Sequence, residues 1–235
     1  MKYFFLFLGW LMLCVAGSTY ADAPKKVTAT YEIYKSGIKI GQIEEVFNSD
    51  KEHYKIISTS RVTGLLEIFR PGKIVISSDG LVDANGLKPL VFSDIREGDE
   101  DRSRRAEFSW KTKKLTLIQK TQRTVVLLPI GTQDRLSAMY QFLFLPLKDV
   151  HELSFNMTNG SKIDIYNYTV SHDQSVTVPL GTFKALYVAS VPEPDASRTE
   201  IWLAEEHANF PYKMVITERD GAKFTQLLTE FELVP

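Results

Sequence analysis

Val27-Thr28-Ala29-Thr30-Tyr31-Glu32-Ile33-Tyr34, then Lys35-Ser36-Gly37, then Ile38-Lys39-Ile40, decides the fold. Val27, Ala29, Tyr31 and Ile33 alternate with polar or amphipathic neighbours. A period of two places them on one face of a strand. Lys35-Ser36-Gly37 is a turn signal, and Ile38-Lys39-Ile40 resumes the alternation. Ile43 falls out of step with Ile40, and Gly41 between them marks a bulge.

Working outward, the same period recurs. Tyr54, Ile56, Ser58, Ser60 and Val62 alternate through His53–Val62, and Lys73–Ser77 follows, closed by Ser78-Asp79-Gly80 read as a turn. Ala106, Phe108 and Trp110 alternate with Glu107 and Ser109, then Leu115 and Leu117 with Thr116, and Gln122–Leu128 follows. Glu97–Arg105 mixes both charge signs and reads as a solvated hairpin tip. Toward the C-terminus the strands are Glu152–Thr158, Ile163–Val170, Gln174–Val178, Phe183–Val191, Arg198–Ala204, Tyr212–Thr217 and Lys223–Leu233. Asp220-Gly221 reads as a two-residue hairpin turn. Turn signals every ten or so residues argue for antiparallel sheet, and closure would hide its edges. The expectation is an all-β fold: a single β-rich domain over 22–235, built as one curved or barrel-like sheet.

One stretch breaks the period. Between Gln133 and Leu145, apolar residues recur at Leu136, Met139, Tyr140, Leu143 and Phe144. That is helical spacing. Thr132 reads as the N-cap, Asp134 as a first-turn acid suited to the helix dipole, and Pro146 as the stop. So apolar a helix belongs against the sheet.

The N-terminus sets the expected compartment. Met1-Lys2 is basic, Tyr3–Val15 carries no charge, and Ala16–Ala21 is small and weakly polar. This order reads as a secretory signal peptide over 1–21, too short to span a bilayer comfortably, and implies a periplasmic protein. Cys14, the only cysteine, lies inside it, and Leu11-Met12-Leu13-Cys14 is a poor lipidation signal. Cleavage would leave a mature chain with no disulfide, no thiol nucleophile and no further apolar run long enough to cross a membrane. With 28 basic residues against 29 acidic ones and no block of like charge, the chain offers no nucleic-acid partner a basic surface.

No local pattern announces chemistry. His53, His151, His172 and His207 have no ligand spacing, so no metal and no cofactor are expected. G-x-S-x-G, S-x-x-K and H-E-x-x-H are missing, so no catalytic residue is assigned. Acids that could face each other across a groove include Glu32, Asp94 and Glu200, with nothing to choose among them. Aromatics on apolar-phase positions, Trp110 and Trp202 among them, either fill the core or line a cavity for an apolar or amphiphilic ligand.

Several segments together resemble the domain of unknown function 3108 family of exported bacterial proteins. They are Tyr31 to Gly41, Ser78-x-Gly80, Gly86-Leu87-Lys88-Pro89-Leu90-Val91-Phe92, Gln133-Asp134-Arg135-Leu136-Ser137-Ala138-Met139-Tyr140-Gln141, Pro179-Leu180-Gly181-Thr182-Phe183, Ile201-Trp202-Leu203-Ala204 and Phe210-Pro211-Tyr212-Lys213-Met214. Phe108-Ser109-Trp110 departs from the family's Phe-Asp-Trp. The resemblance implies an exported β-rich domain and no reaction. Asp134, Arg135, Ser137, Tyr140 and Gln141 fit its helix motif. They form either a polar-aromatic patch beside a pocket or a set that caps, pins and packs the helix; capping and packing account for most of these residue types.

The leading expectation is a non-enzymatic periplasmic envelope protein that binds an apolar or amphiphilic ligand, or a partner protein, on its curved sheet. The alternative is a hydrolase or carbohydrate-modifying enzyme with a dispersed carboxylate site.

Overall fold

The computed structural model describes residues 24–50, 52–63, 72–193 and 196–235. The segment read as an export signal, with Cys14, lies outside the described residues. The strands are β1 (Lys26–Lys35), β2 (Ile38–Ser49), β3 (His53–Val62), β4 (Lys73–Asp83), β5 (Gly86–Arg96), β6 (Arg104–Ser109), β7 (Lys114–Gln119) and β8 (Gln122–Leu127), followed by β9 (Gln133–Asp134), β10 (Glu152–Thr158), β11 (Ile163–Val178), β12 (Gly181–Ser190), β13 (Arg198–Ala204), β14 (Phe210–Thr217) and β15 (Lys223–Val234). All of them belong to one 15-stranded sheet.

Its centre is the pairing of β1 with β15, antiparallel from Lys26↔Val234 to Lys35↔Phe224. One meander runs outward from β1 to β8, and the other returns from β15 to β9. Only the two-residue β9 pairs in parallel, with β10. Among the described residues β8 and β9 do not pair with each other. The roll is instead closed by overlap: a Cβ added to Gly160, in the β10–β11 turn, would lie 3.0 Å from the Arg104 side chain and 3.1 Å from that of Phe92. The β10–β11 turn therefore lies on the inner face of β5 and β6, and the edge strand β9 packs on β5.

The predicted alternation holds where it was strongest. Val27, Ala29, Tyr31, Phe47, Tyr54 and Ile56 are buried. The bulge expected at Gly41 is present: Ile33 pairs with Gly41 but Tyr34 pairs with Lys39, which leaves Ile40 extra. Three expectations are corrected. Ser78-Asp79-Gly80 is not a turn; β4 runs through it to Asp83, and the bulge lies across from it, at Leu90 of β5. The two strands read at Ile163–Val170 and Gln174–Val178 are one strand, irregular at Ser171–Gln174, where Asp173 takes φ 53°. The final hairpin turn is longer than two residues, since Thr217 pairs with Lys223.

The helix is shorter than its periodicity. Gln133–Asp134 is strand, α1 spans Ser137–Gln141, and a 3₁₀ turn, Phe142–Phe144, completes it. Thr132 does not cap it. The Asp134 carboxylate accepts from the amides of Leu136 and Ser137 at 2.9 and 2.8 Å. Tertiary packing holds so short a helix, since isolated helices of this length do not persist in water. Tyr140 is fully buried between Phe47, stacked at 5.4 Å, and Phe210, edge-on at 5.5 Å. Phe142 and Leu147 pack with Tyr168, Val170, Val188, Ile201 and Leu203 in a second cluster. The helix thus stops one end of the roll.

Candidate functional site

The segment Gln133–Gln141 lashes that stopper to the β4–β5 hairpin. Gln133 Nε2 donates to the Leu87 carbonyl at 2.7 Å. Gln141 accepts from the Leu87 amide at 2.7 Å and donates to the Asn85 carbonyl at 2.6 Å. Gly86 sits between these bonds at φ +101°, and a Cβ there would lie 2.6 Å from the Gln141 amide. The Ser78 hydroxyl donates to Asp134 at 2.6 Å and is itself 2.9 Å from the Tyr54 hydroxyl. Ser137 Oγ accepts from the Asp134 amide at 3.0 Å. Burial pushes the Asp134 carboxyl above its ordinary value, and its hydrogen bonds pull the other way.

Above the stopper the roll is hollow. A cavity of about 490 Å³ opens between the walls, within the range of roughly 300–1,000 Å³ typical of small-molecule sites. Its apolar lining includes Ile33, Ile43, Ile74, Ile76, Met139 and Ile216. The side facing the helix is closed by Leu136, Tyr140 and Phe210.

Two ionic features mark this wall. Glu45 is the one carboxylate lining the cavity among the described residues. It accepts from Ser58 Oγ at 2.8 Å and from the Tyr140 hydroxyl at 3.1 Å. Burial raises its pKa, and the Ser58 and Tyr140 hydrogen bonds offset part of the rise. The second feature lies where the sheet overlaps itself. Asp94, fully buried, accepts from Arg96 at 3.2 Å and from Arg135 at 3.0 Å. The Arg135 guanidinium also lies 5.9 Å from the centre of the Phe92 ring. Arg96 and Arg135 both line the cavity.

Of the residues expected from sequence, Arg135 and Tyr140 reach the cavity, while Asp134, Ser137 and Gln141 hold the element that carries them. Trp110 and Trp202 do not join this group. Trp110 Nε1 donates to the Pro89 carbonyl at 2.7 Å, with Lys88 Nζ 5.5 Å from its ring. Trp202 packs, half-buried, against the main core cluster, opposite the face where Ile201 and Leu203 join the second cluster, and lies under Lys213 Nζ at 4.5 Å. The three candidate acids are likewise apart. Glu32 is held by Lys39 and Tyr34, Asp94 by its arginines, and Glu200 by Tyr187 and Arg198. Among the described residues no group of three or more His, Cys, Asp or Glu is placed to hold a metal. No helix among them is long and apolar enough to cross a membrane.

The model of a family described as "Protein of unknown function (DUF3108)" matches residues 30–229. The chain belongs to the DUF3108 family. Among solved structures, this DUF3108 chain is similar to a crystal structure described as a beta-barrel-like protein of domain of unknown function DUF1849 from Brucella abortus. The two share 14% identity at a TM-score of 0.56, over 92% of this chain and all of the other. At that identity the likeness is one of fold. No curated protein matches the chain.

Sequence reading passed over Glu45, Arg96 and Arg104. Yet Glu45 is in step with Ile43 and Phe47, Asp94 and Arg96 with Phe92, and Arg104 with Ala106 and Phe108. A charge on the inward phase of a strand was the available signal.

Proposed function

We propose that this protein is an exported, non-enzymatic binder of an apolar or amphiphilic molecule, held in the hollow of its rolled sheet. The observation that carries the reading is the cavity. Its aliphatic and thioether lining resembles a core position for position, yet the space is not filled. Water gains little from such walls, whereas an apolar chain would be removed from water along its whole length. A half-buried acid and two arginines lining the same cavity leave room for a polar end.

The carboxylate-pair hydrolase has less behind it. Glu32, Asp94 and Glu200 each have their own partners, and Glu45 has no second acid across the cavity among the described residues. A protein partner finds its best footing on edge strand β8, where Val125 and Leu127 are 57% and 71% exposed.

The deciding experiment is native mass spectrometry of the purified protein, with solvent extraction of anything it retains, followed by titration with a fluorescent apolar probe. A retained amphiphile or one-to-one probe binding is expected, and Met139→Trp, which fills the space, should abolish it. A wild-type protein that retains nothing and binds no apolar probe would remove the reading.

A further inference from the structure

The overlap seam holds more positive charge than it neutralises. The register of β5 and β6 sets Arg104 directly beside Asp94, and Arg96 follows two residues along the same face of β5. Arg135 arrives from the opposite edge of the sheet, just after β9. Three guanidiniums therefore converge on one carboxylate. Arg96 and Arg135 bond to the same oxygen, Oδ2, and Arg104 has no ion pair among the described residues. The Nε atoms of all three arginines are buried with no hydrogen-bond partner. So many guanidiniums at a half-buried seam repel one another unless an anion joins them.

Among the described residues the other carboxylates nearby form no ion pair with these three arginines, though Asp134 acts weakly on Arg135 and Asp99 feels Arg96. Asp134 is committed to Ser78 and to the amides of Leu136 and Ser137. Asp99 is exposed in part and pairs with Arg102. Glu45 is separated from β5 by β3 and β4 and is held by Ser58 and Tyr140. Burial lowers the pKa of Arg135; Asp94 and, least of all, Asp134 counter this, while Arg96 and Arg104 push it lower still. The cations feel one another.

We propose that Arg96 and Arg135, backed by Arg104, form the head-group site of the cavity, and that the bound molecule is an amphiphile with a carboxylate or phosphate head. This rests on the cavity being a binding site. Guanidinium forks match the paired oxygens of either head, and the apolar walls beside them take the chain. An anionic head also completes the charge balance that Asp94 alone leaves short.

The test uses purified protein and three probes with the same twelve-carbon chain: laurate, dodecanol and dodecyltrimethylammonium. Charge-assisted hydrogen bonds predict that laurate binds about tenfold or more tightly than dodecanol, with the cation weakest. Arg96→Gln leaves Arg135 on Asp94. It should cut the preference for laurate over dodecanol severalfold. Arg104→Gln breaks no ion pair among the described residues and should weaken laurate less, in a salt-dependent way. Equal binding of laurate and dodecanol would overturn the head-group site and leave the cavity reading standing. Binding of none of the three would remove both. A dodecyl phosphate titration then separates a phosphate preference from a carboxylate one.

Discussion

The two ends of the roll are built from the same strands and differ in what fills them. At the stoppered end, Val27, Phe47, Tyr54, Tyr140 and Phe210 are buried to 2% exposure or less. A few residues further along the same inward phases, Ile33, Ile74, Ile76 and Ile216 are only partly buried and line open space. Both sets are apolar, the first largely aromatic and the second all isoleucine, so polarity does not separate them. The difference is whether a partner element arrives, and α1 with its 3₁₀ turn reaches only one end. Fold is therefore carried by the packed end, and any ligand by the hollow one.

Removing the device that fixes the stopper should break that contrast most. Asp134→Ala leaves the Ser78 hydroxyl and two buried amides without an acceptor. A loss of about 3 kcal/mol or more is expected, read as a lowered urea midpoint. An unchanged midpoint would mean that the helix is held by packing alone.

A pair of enlargements sharpens the comparison. At Gly80 an added Cβ would lie 2.4 Å from the Lys88 carbonyl oxygen and 2.8 Å from the Tyr54 ring. Gly80→Ala should cost about 1–3 kcal/mol, because backbone has to move. Ile76→Phe adds more atoms but points them into the cavity, and should stay within about 0.5 kcal/mol while weakening probe binding. Equal costs at the two positions would mean that the hollow end is packed in solution.

The smallest effect concerns pH. Burial raises the Glu45 pKa above its ordinary 4.5. The folded chain then keeps a proton that the unfolded chain has already released. Stability from this group is greatest below about 4.5, declines as the pH rises from there, and is lost once the raised folded value is passed. Glu45→Gln keeps the polar contacts with Ser58 and Tyr140 and should flatten that decline. Asp134, raised in the same direction, leaves a residual slope. Identical pH profiles of the urea midpoint in variant and wild type would show that Glu45 is not held in this way.

Much of the fold was legible because alternation is local. Each strand announces its inward face through neighbours two residues away, and the bulge at Gly41 could be read from Ile40 and Ile43 falling out of step. Ser78-Asp79-Gly80 misled because its residue types are those of turns. There, Ser78 is chosen for Asp134 and Gly80 for the close approach of Tyr54 and Lys88, and Asp134 and Tyr54 are distant in sequence. The helix motif was found, but its N-cap was misplaced, since Gln133 and Asp134 are drawn into a parallel bridge with Met157 and Thr158. Arg135 and Tyr140 were singled out for their motif. Glu45, Asp94, Arg96 and Arg104 join them only after the sheet rolls up and its far edge returns, which local periodicity does not report.

The pairing of β1 with β15 has a consequence for the order of assembly. Thr28 and Glu232, opposite each other on these strands, are 204 residues apart in the chain. Contacts of such long range are won late, after the entropy of a large loop has been lost, so folding should be slow for a protein of this size. While the chain is still being delivered from its N-terminus, β1 has β2 on one flank and a bare row of amides and carbonyls on the other. The two meanders can form separately as hairpins, but the strand that welds them is the last to arrive, and until it does the half-built sheet presents the kind of edge on which chains aggregate.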